Sequence, residues 1–257
     1  MLEVNSPKIS RRFTGQTDVG LVRSVNQDSF YIDEPEARFF IVADGMGGHA
    51  GGQEASQIAT EFIKDYLEEH WESETPSPEL LEAALLSANQ AIIADQEEHP
   101  ERGDMGTTAV MIAFRHDGAW RAHIGDSRLY CFRNQKLFQV TKDHTWVARA
   151  LEMGDIDREQ AKVHPWRHVL FQCLGRRDLH QVEVAPLEVQ PQDTFLLCSD
   201  GLTEEVSDES IAEILQLEKA HPDLAAELIE EAKNAGGSDN ITIILVSQDG
   251  SWAAKES

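Results

Sequence analysis

Short apolar runs alternate along this chain with longer amphipathic stretches. Residues 38–43 (RFFIVA), 109–114 (AVMIAF), 120–124 (WRAHI), 128–132 (RLYCF), 194–198 (TFLLC) and 240–246 (NITIILV) are rich in β-branched and aromatic side chains and are bounded by Gly, Asp or Asn. They are too short for helices, and the pattern predicts strands. Asp117-Gly118, between two of them, is a tight-turn signal. Residues 53–71 and 79–99 have helical period. In the first, Ile58, Phe62 and Tyr66 recur every fourth position, with Ala55, Ala59 and Ile63 nearby on the same face; in the second, Leu81, Leu85, Ala88 and Ile92 form the stripe. Ser77 before Pro78 predicts an N-cap followed by proline at the first helical position. Two shorter helices are predicted over 208–217 and 222–234, the second stopped by Gly236 and Gly237.

Successive hairpin-like strands favour antiparallel pairing over a regular βαβ winding. Residues 141–175 are mostly polar with two short helical stretches, and read as an insert able to cover a site. There is no internal repeat and no low-complexity linker.

The chain has 257 residues, 41% apolar and 26% charged, which is enough to bury a full core. Its formal net charge of −24 argues against nucleic acid and anionic membrane surfaces as partners, because both are bound by clustered Lys and Arg. Much of that charge serves solubility, but carboxylates also build sites for Mg²⁺ or Mn²⁺. The three cysteines, Cys131, Cys173 and Cys198, are odd in number, lack C-x-x-C spacing and stand in apolar surroundings. They read as reduced thiols of a cytoplasmic protein rather than a disulfide framework or zinc site. No apolar stretch approaches the length of a membrane span, and the start lacks a signal-peptide core. Residues 1–13 read as a flexible extension, 14–247 as one domain, and 248–257 as a tail.

Five aspartates stand out by setting: Asp28 in NQDSF, Asp44 in VADGMGG, Asp126 in HIGDSR, Asp200 in LLCSDGL and Asp239 in GSDNIT. Four of them adjoin a strand-like run. A carboxylate at the end of a buried strand must be solvated, hydrogen-bonded or bound to a cation. One such residue is ordinarily a turn or cap; five are harder to dismiss. If the strand ends converge, the acids repel one another and divalent cations relieve the repulsion. All-oxygen ligands select Mg²⁺, Mn²⁺ or Ca²⁺ over zinc. Glycines 45, 47, 48, 51 and 52 keep side chains away from Asp44, so backbone carbonyls can approach a metal. Arg23, five residues before Asp28, is near enough to clamp a phosphate.

The segments TDVGLVRSVNQDSF, VADGMGGHAGG, MGTTAV, AHIGDSRLY, VTKDHT, CLG, LLCSDGLTE and SDNITII, in that order, resemble the metal-dependent protein phosphatase family, also called PPM or type 2C. The likeness runs from about Thr14 to Val246. Within the family, the insert with HPWRHVL and QCLGR looks like the compact cyanobacterial phosphatases that act on the nitrogen-signalling protein PII. The resemblance implies an α+β fold in four layers, two central antiparallel β-sheets flanked by pairs of α-helices, with residues 141–175 as a flap. It implies a serine/threonine protein phosphatase using two or three Mn²⁺ or Mg²⁺ ions, with a phosphorylated protein, PII among them, as partner; a monomer is expected. Asp44 would bridge two metals, Asp200 and Asp239 would complete the first, and the Gly45 carbonyl would bind the second, where Asp28 acts through water. Asp126 with Asp200 would hold a third, and Arg23 would bind the substrate phosphate. Thr145, His168 and Arg176 resemble lid and site-edge positions. The implied reaction is direct hydrolysis by a metal-bridging hydroxide, without a phosphoenzyme. The chain carries no Cys-x5-Arg signature, in keeping with this.

Two positions depart from the commoner eukaryotic pattern. Histidine after Asp-Gly is replaced by Met46, which cannot donate a proton, and Glu before the second aspartate is Gln27. His49 is then the first candidate for general acid, with His164, His168 and a metal-bound water as alternatives.

Residues 45–50 (GMGGHA) also fit a dinucleotide-binding turn, but a helix occupies the place where its second, acid-ended strand would stand. There is no Gly-Lys-Ser/Thr of a P-loop and no D-x-D-x-D-G calcium loop. A non-catalytic phosphoprotein-binding module on the same fold would be expected to have lost one or more of the aspartates.

Overall fold

The computed structural model describes residues 10–48 and 51–249. In chain order its elements are β1 (Ser10–Asp18), β2 (Asp28–Ile32), β3 (Phe39–Met46), α1 (Gly51–His70), α2 (Ser77–Glu98), β4 (Gly106–Thr107), β5 (Ala109–Arg115), β6 (Gly118–Ile124), β7 (Arg128–Arg133), β8 (Lys136–Gln139), α3 (Trp146–Met153), α4 (Arg158–Lys162), β9 (Glu183–Pro186), β10 (Thr194–Cys198), α5 (Asp200–Thr203), α6 (Asp208–Leu215), α7 (His221–Ala235) and β11 (Ile241–Asp249). The strands form two antiparallel sheets, β1-β11-β10-β7-β8 and β2-β3-β5-β6-β9, with β4 paired to the end of β3.

Alternation along each central strand separates three cores. On β3, Phe40 and Val42 face the other sheet and meet Leu197, Ile244 and Val246. Phe39, Ile41 and Ala43 face outward onto α1 and α2. Leu196, Ile243 and Leu245 face the opposite way, onto α6 and α7. Strands β3, β5, β10 and β11 are therefore largely apolar on both faces, which is why they read as continuous runs. The result is the expected four-layer α+β arrangement. Among the described residues, no helix is long and apolar enough to cross a membrane.

Several details depart from the sequence reading. In α1 the core stripe is Ala55, Ala59, Ile63 and Leu67; Ile58 and Tyr66 lie at its flank and Phe62 is exposed. Ser77 is the first residue of α2, after Pro76 at the N-cap position, and its side chain and backbone N–H both bond Asp117. Strand β1 takes in residues 10–13, and β11 runs on through Asp249. The sheet thus extends past 14–247 at both ends, because β1 and β11 pair along their whole length from Ser10↔Asp249. The rest of both terminal segments lies outside the described residues.

Candidate metal centre

All five aspartates stand at one edge of the sandwich. Asp28 opens β2 and is the direct Cα partner of Asp44 on β3. Asp126 follows β6, Asp200 follows β10 as the first residue of α5, and Asp239 precedes β11 by two residues. Asp44, Gly45, Asp126, Asp200 and Asp239 line a single cleft of about 450 Å³, with Arg23, Met46 and His168. A larger groove of about 900 Å³, beside β1, β10 and α7, has Arg11, Lys219 and His221 on its walls and no carboxylate in its lining.

Backbone contacts and buried polar side chains fix the cleft. A Cβ on Gly45 would lie 1.9 Å from the Gly52 carbonyl oxygen and 2.6 Å from that of Gln27, so only glycine fits between β3, α1 and the β1–β2 connection. The Gly45 N–H donates to the Gln27 carbonyl at 3.1 Å. The Asp44 N–H donates to Thr108 Oγ1 at 3.0 Å, and Thr107 Oγ1 donates to the Asp44 carbonyl at 2.8 Å. Asn240, 3% exposed, accepts from the Gln27 N–H at 2.7 Å and donates to the carbonyls of Val19 and Val25 at 3.0 Å each. Ser199 Oγ donates to Asp28 Oδ2 at 2.7 Å.

The electrostatics are those of a cation site. Burial, reinforced by Asp28, Asp200 and Asp126, pushes Asp44 well above the usual carboxylate range. Burial and then Asp200 do the same to Asp126, and burial chiefly raises Asp200. Asp28 is pushed up to about 7, mainly by burial and further by Asp200 and Asp239, against the opposing hydrogen bonds of Ser199 and Thr242. The Oδ1 atoms of Asp28 and Asp200 are buried with no hydrogen-bond partner. Buried carboxylate oxygens left unpaired are costly unless a cation takes them. Clustered hard oxygens, unpartnered Oδ1 atoms and a glycine cradle fit Mg²⁺ or Mn²⁺.

Arg23 Nη2 donates to Asp239 Oδ2 at 2.6 Å, which holds the guanidinium at the rim. Across the cleft, the flap brings His168, whose Nδ1 lies 2.7 Å from Glu204 Oε1. Thr145 caps α3 by accepting from the Ala148 N–H and lines an adjoining recess of about 160 Å³ with Asp126 and Asp200. Arg176 does not join the cleft lining. Its guanidinium is held by Asp178 at 2.8 and 2.9 Å, and its N–H and carbonyl are bonded to the Asn89 side chain. His164 is likewise elsewhere, stacked on Trp146 at 4.9 Å. His49 lies outside the described residues.

Three residues that the sequence did not single out matter here. Arg167, next to His168, lines both the cleft and its recess. Glu204 orients His168. Asn240 ties the Arg23-bearing loop to β11. The SDN triplet signals Asn240 only once Asp239 is known to stand at the site.

A family model described as Protein phosphatase 2C matches residues 22–245. The serine/threonine protein phosphatase PstP of Mycobacterium tuberculosis is 40% identical over 239 residues, covering 91% of this chain and 44% of PstP, so the chain spans less than half of that relative. The serine/threonine phosphatase stp of Listeria monocytogenes is 34% identical over 238 residues, covering 91% of this chain and 94% of that protein. A crystal structure of Mycobacterium tuberculosis PstP/Ppp superimposes with a TM-score of 0.84 at 38% identity, over 94% of this chain and all of that one. A structure of the PstP catalytic domain in complex with two manganese ions gives 0.82 at 36% identity, over 94% of this chain and all of that one.

Proposed function

This chain belongs to the protein phosphatase 2C family, and from that premise we propose that it hydrolyses phosphoserine and phosphothreonine in proteins with Mn²⁺ or Mg²⁺ held in the aspartate cleft. The observation that carries the reading is convergence. Carboxylates from five separate chain segments meet at one edge of the sandwich, four lining one cleft and Asp28 beside Asp44, and two of their buried oxygens lack a partner.

Asp44, Asp200, Asp239 and the Gly45 carbonyl are the groups to hold two cations, with Asp28 behind them and Asp126 with Asp200 available to a third. The bound ions supply positive charge for the phosphoryl oxygens and make water acidic enough to act as a nucleophile at neutral pH. The manganese-bound PstP structure supports this choice of ion. The chain's own residues do the rest. Arg23, steadied by Asp239, presents its remaining N–H groups to the substrate phosphate at the rim. The Ser199 bond keeps Asp28 oriented with one oxygen free. His168, held by Glu204 on the opposite wall, supports a role as the acid that gives a proton to the departing serine or threonine oxygen, beside His49 and a metal-bound water as the other candidates.

The insert's likeness to the cyanobacterial PII phosphatases supports a narrower substrate, phosphorylated PII. The free thiols of Cys131, Cys173 and Cys198 support a cytoplasmic place, and we take the enzyme to act as a monomer. Hydrolysis of para-nitrophenyl phosphate and of a phosphothreonine peptide, with Mn²⁺, with Mg²⁺ and with EDTA, tests the main claim. Metal-dependent turnover that disappears in Asp44→Ala is the expected result. Folded protein with no turnover under any metal would overturn it. Phospho-PII hydrolysed no faster than an unrelated phosphoprotein would remove the narrower reading alone.

A further inference from the structure

The connection between β1 and β2 ought to be polar, as surface loops are, yet it exposes four aliphatic side chains in seven residues. Val19 is 37% exposed, Leu21 63%, Val22 70% and Val25 42%. Scattered apolar residues on a surface are ordinary, but a contiguous apolar patch marks an interaction site. These four are held together. The Asn240 side-chain amide bonds the carbonyls of both Val19 and Val25, drawing the two ends of the loop to one nitrogen. The Leu21 N–H donates to the Gly237 carbonyl at 2.8 Å, and the Leu21 side chain packs on Gly237, where an added Cβ would stand 3.0 Å from Leu21 Cγ. The Gly20 N–H is taken by Asp18 Oδ1 at 2.8 Å. The loop is therefore pinned at four points, with Leu21 and Val22 the most exposed of its aliphatic side chains. The next residue after Val22 is Arg23, the cation at the cleft rim.

We propose that Leu21 and Val22, with Val19 and Val25 beside them, form an apolar ledge that docks the substrate chain next to its phosphoresidue, so that the enzyme prefers phosphoproteins with a large aliphatic residue near the phosphoserine or phosphothreonine. This rests on the phosphatase reading above. Position argues for a substrate segment as occupant: a phosphate held at Arg23 brings its own flanking residues over the ledge, within about three positions at ~3.3 Å per extended residue. Charge argues for the apolar class. In a chain of net charge −24, an acidic flank is repelled, while the ledge itself is uncharged and gains by losing water. Pinning the loop beforehand reduces the ordering cost of that contact.

The test compares two phosphothreonine peptides of equal charge, one with leucine at the positions flanking the phosphothreonine and one with serine there. It uses the full chain with saturating Mn²⁺. Wild type should favour the leucine peptide in kcat/KM by about tenfold, the effect of burying on the order of 60 Å² of apolar surface. Val22→Ser and Leu21→Ser/Val22→Ser should bring the ratio close to one with para-nitrophenyl phosphate hydrolysis unchanged. Val22→Ser alone touches the more exposed side chain, so it tests the ledge without loosening the loop. No preference in wild type, a preference that survives both variants, or an equal loss on para-nitrophenyl phosphate would each overturn the ledge. A dimer in solution that Val22→Ser dissolves would assign the patch to a second copy of the chain and also overturn it. Failure of wild type to hydrolyse para-nitrophenyl phosphate would instead strike the phosphatase reading itself.

Discussion

Asp28 and Asp44 are directly paired across β2 and β3, two carboxylates side by side in an antiparallel ladder. Like charges opposite each other destabilise a sheet, and here burial compounds the cost. Without a cation the fold is thus strained at the aspartate cleft. Asp44→Asn should therefore raise the melting temperature of metal-free protein. The same change should abolish the rise that Mn²⁺ gives the wild type, a rise worth about 2.7 kcal/mol at a hundredfold excess over the dissociation constant. Differential scanning fluorimetry with and without Mn²⁺ reads both effects. A variant that Mn²⁺ still stabilises fully would show that Asp44 holds no cation.

His168 and Glu204 meet at 2.7 Å on the flap side of the cleft. If the histidine protonates the leaving oxygen, its loss should matter most where the leaving group is poor. His168→Asn should cut kcat on a phosphothreonine peptide by about 10²–10⁴-fold, the usual share of general acid catalysis, and leave para-nitrophenyl phosphate within a few-fold of wild type. Steady-state kinetics on the two substrates makes the comparison. Parallel losses would reassign His168 to binding.

Legibility in the sequence followed burial. Each of the six runs read as strands corresponds to a strand inside a sheet, and all but β6, which carries Arg121 and His123 on one face, are largely apolar on both faces. The apolar pattern does not predict the four outer strands β1, β2, β8 and β9, and all of them are sheet edges. Edge strands such as KLFQ and EVAP are short or half-polar because one side faces water. The same logic governs the site. Asp44, Asp126, Asp200 and Asp239 are legible because a carboxylate beside a buried strand needs a reason; Asp28, at the start of the half-buried edge strand β2, is legible only as part of NQDSF. Arg167 and Glu204 are not, since charged residues on surface segments are the norm. Likeness makes Arg176 a site-edge residue, but the local geometry gives it to Asp178.

A pair of histidines lies just behind the Asp126 turn. The rings of His123 and His144 stand 4.6 Å apart, and His144 Nδ1 accepts from the Gly125 N–H at 3.1 Å. His123 Nε2 bonds the Lys142 carbonyl at 2.8 Å. Burial, and then His123, lower His144 from 6.5 to about 4; burial also lowers His123. The folded state therefore resists a proton that the unfolded chain accepts from pH 6.5 downward. Stability is full above pH 6.5 and is lost as pH falls from 6.5 toward 4, by up to about 3 kcal/mol. The acid cluster has the opposite slope in metal-free protein, because its raised carboxyls take up protons more readily folded than unfolded. Comparison with His144→Asn, which keeps an acceptor for Gly125, cancels that contribution. Urea unfolding at pH 8, 6 and 4.5 should show wild type losing stability relative to the variant as pH falls. Parallel curves would show that the pair is not held neutral.

Asn240 tests whether the Arg23 loop needs its anchor. Its side chain satisfies the Gln27 N–H and the carbonyls of Val19 and Val25, none of which it shares with a regular ladder. Asn240→Ala leaves these groups to water or to nothing, at about 1–3 kcal/mol for each that stays buried, so a loss of roughly 3 kcal/mol in urea unfolding is expected. The functional effect is separable. Strand β11, which begins two residues after Asp239, stays in the sheet, so Mn²⁺ binding should persist, while Arg23 loses its fixed approach to the rim. KM for a phosphothreonine peptide should rise about tenfold in Asn240→Ala and further in Arg23→Ala, where a charged hydrogen bond worth about 1.5–3 kcal/mol is removed outright. In the double variant the two effects should fall short of their sum, because a loosened loop has less left to lose once its arginine is gone. Full additivity would mean that Asn240 supports the fold without positioning Arg23, and the loop would then have to be held by its Gly237 and Asp18 contacts alone.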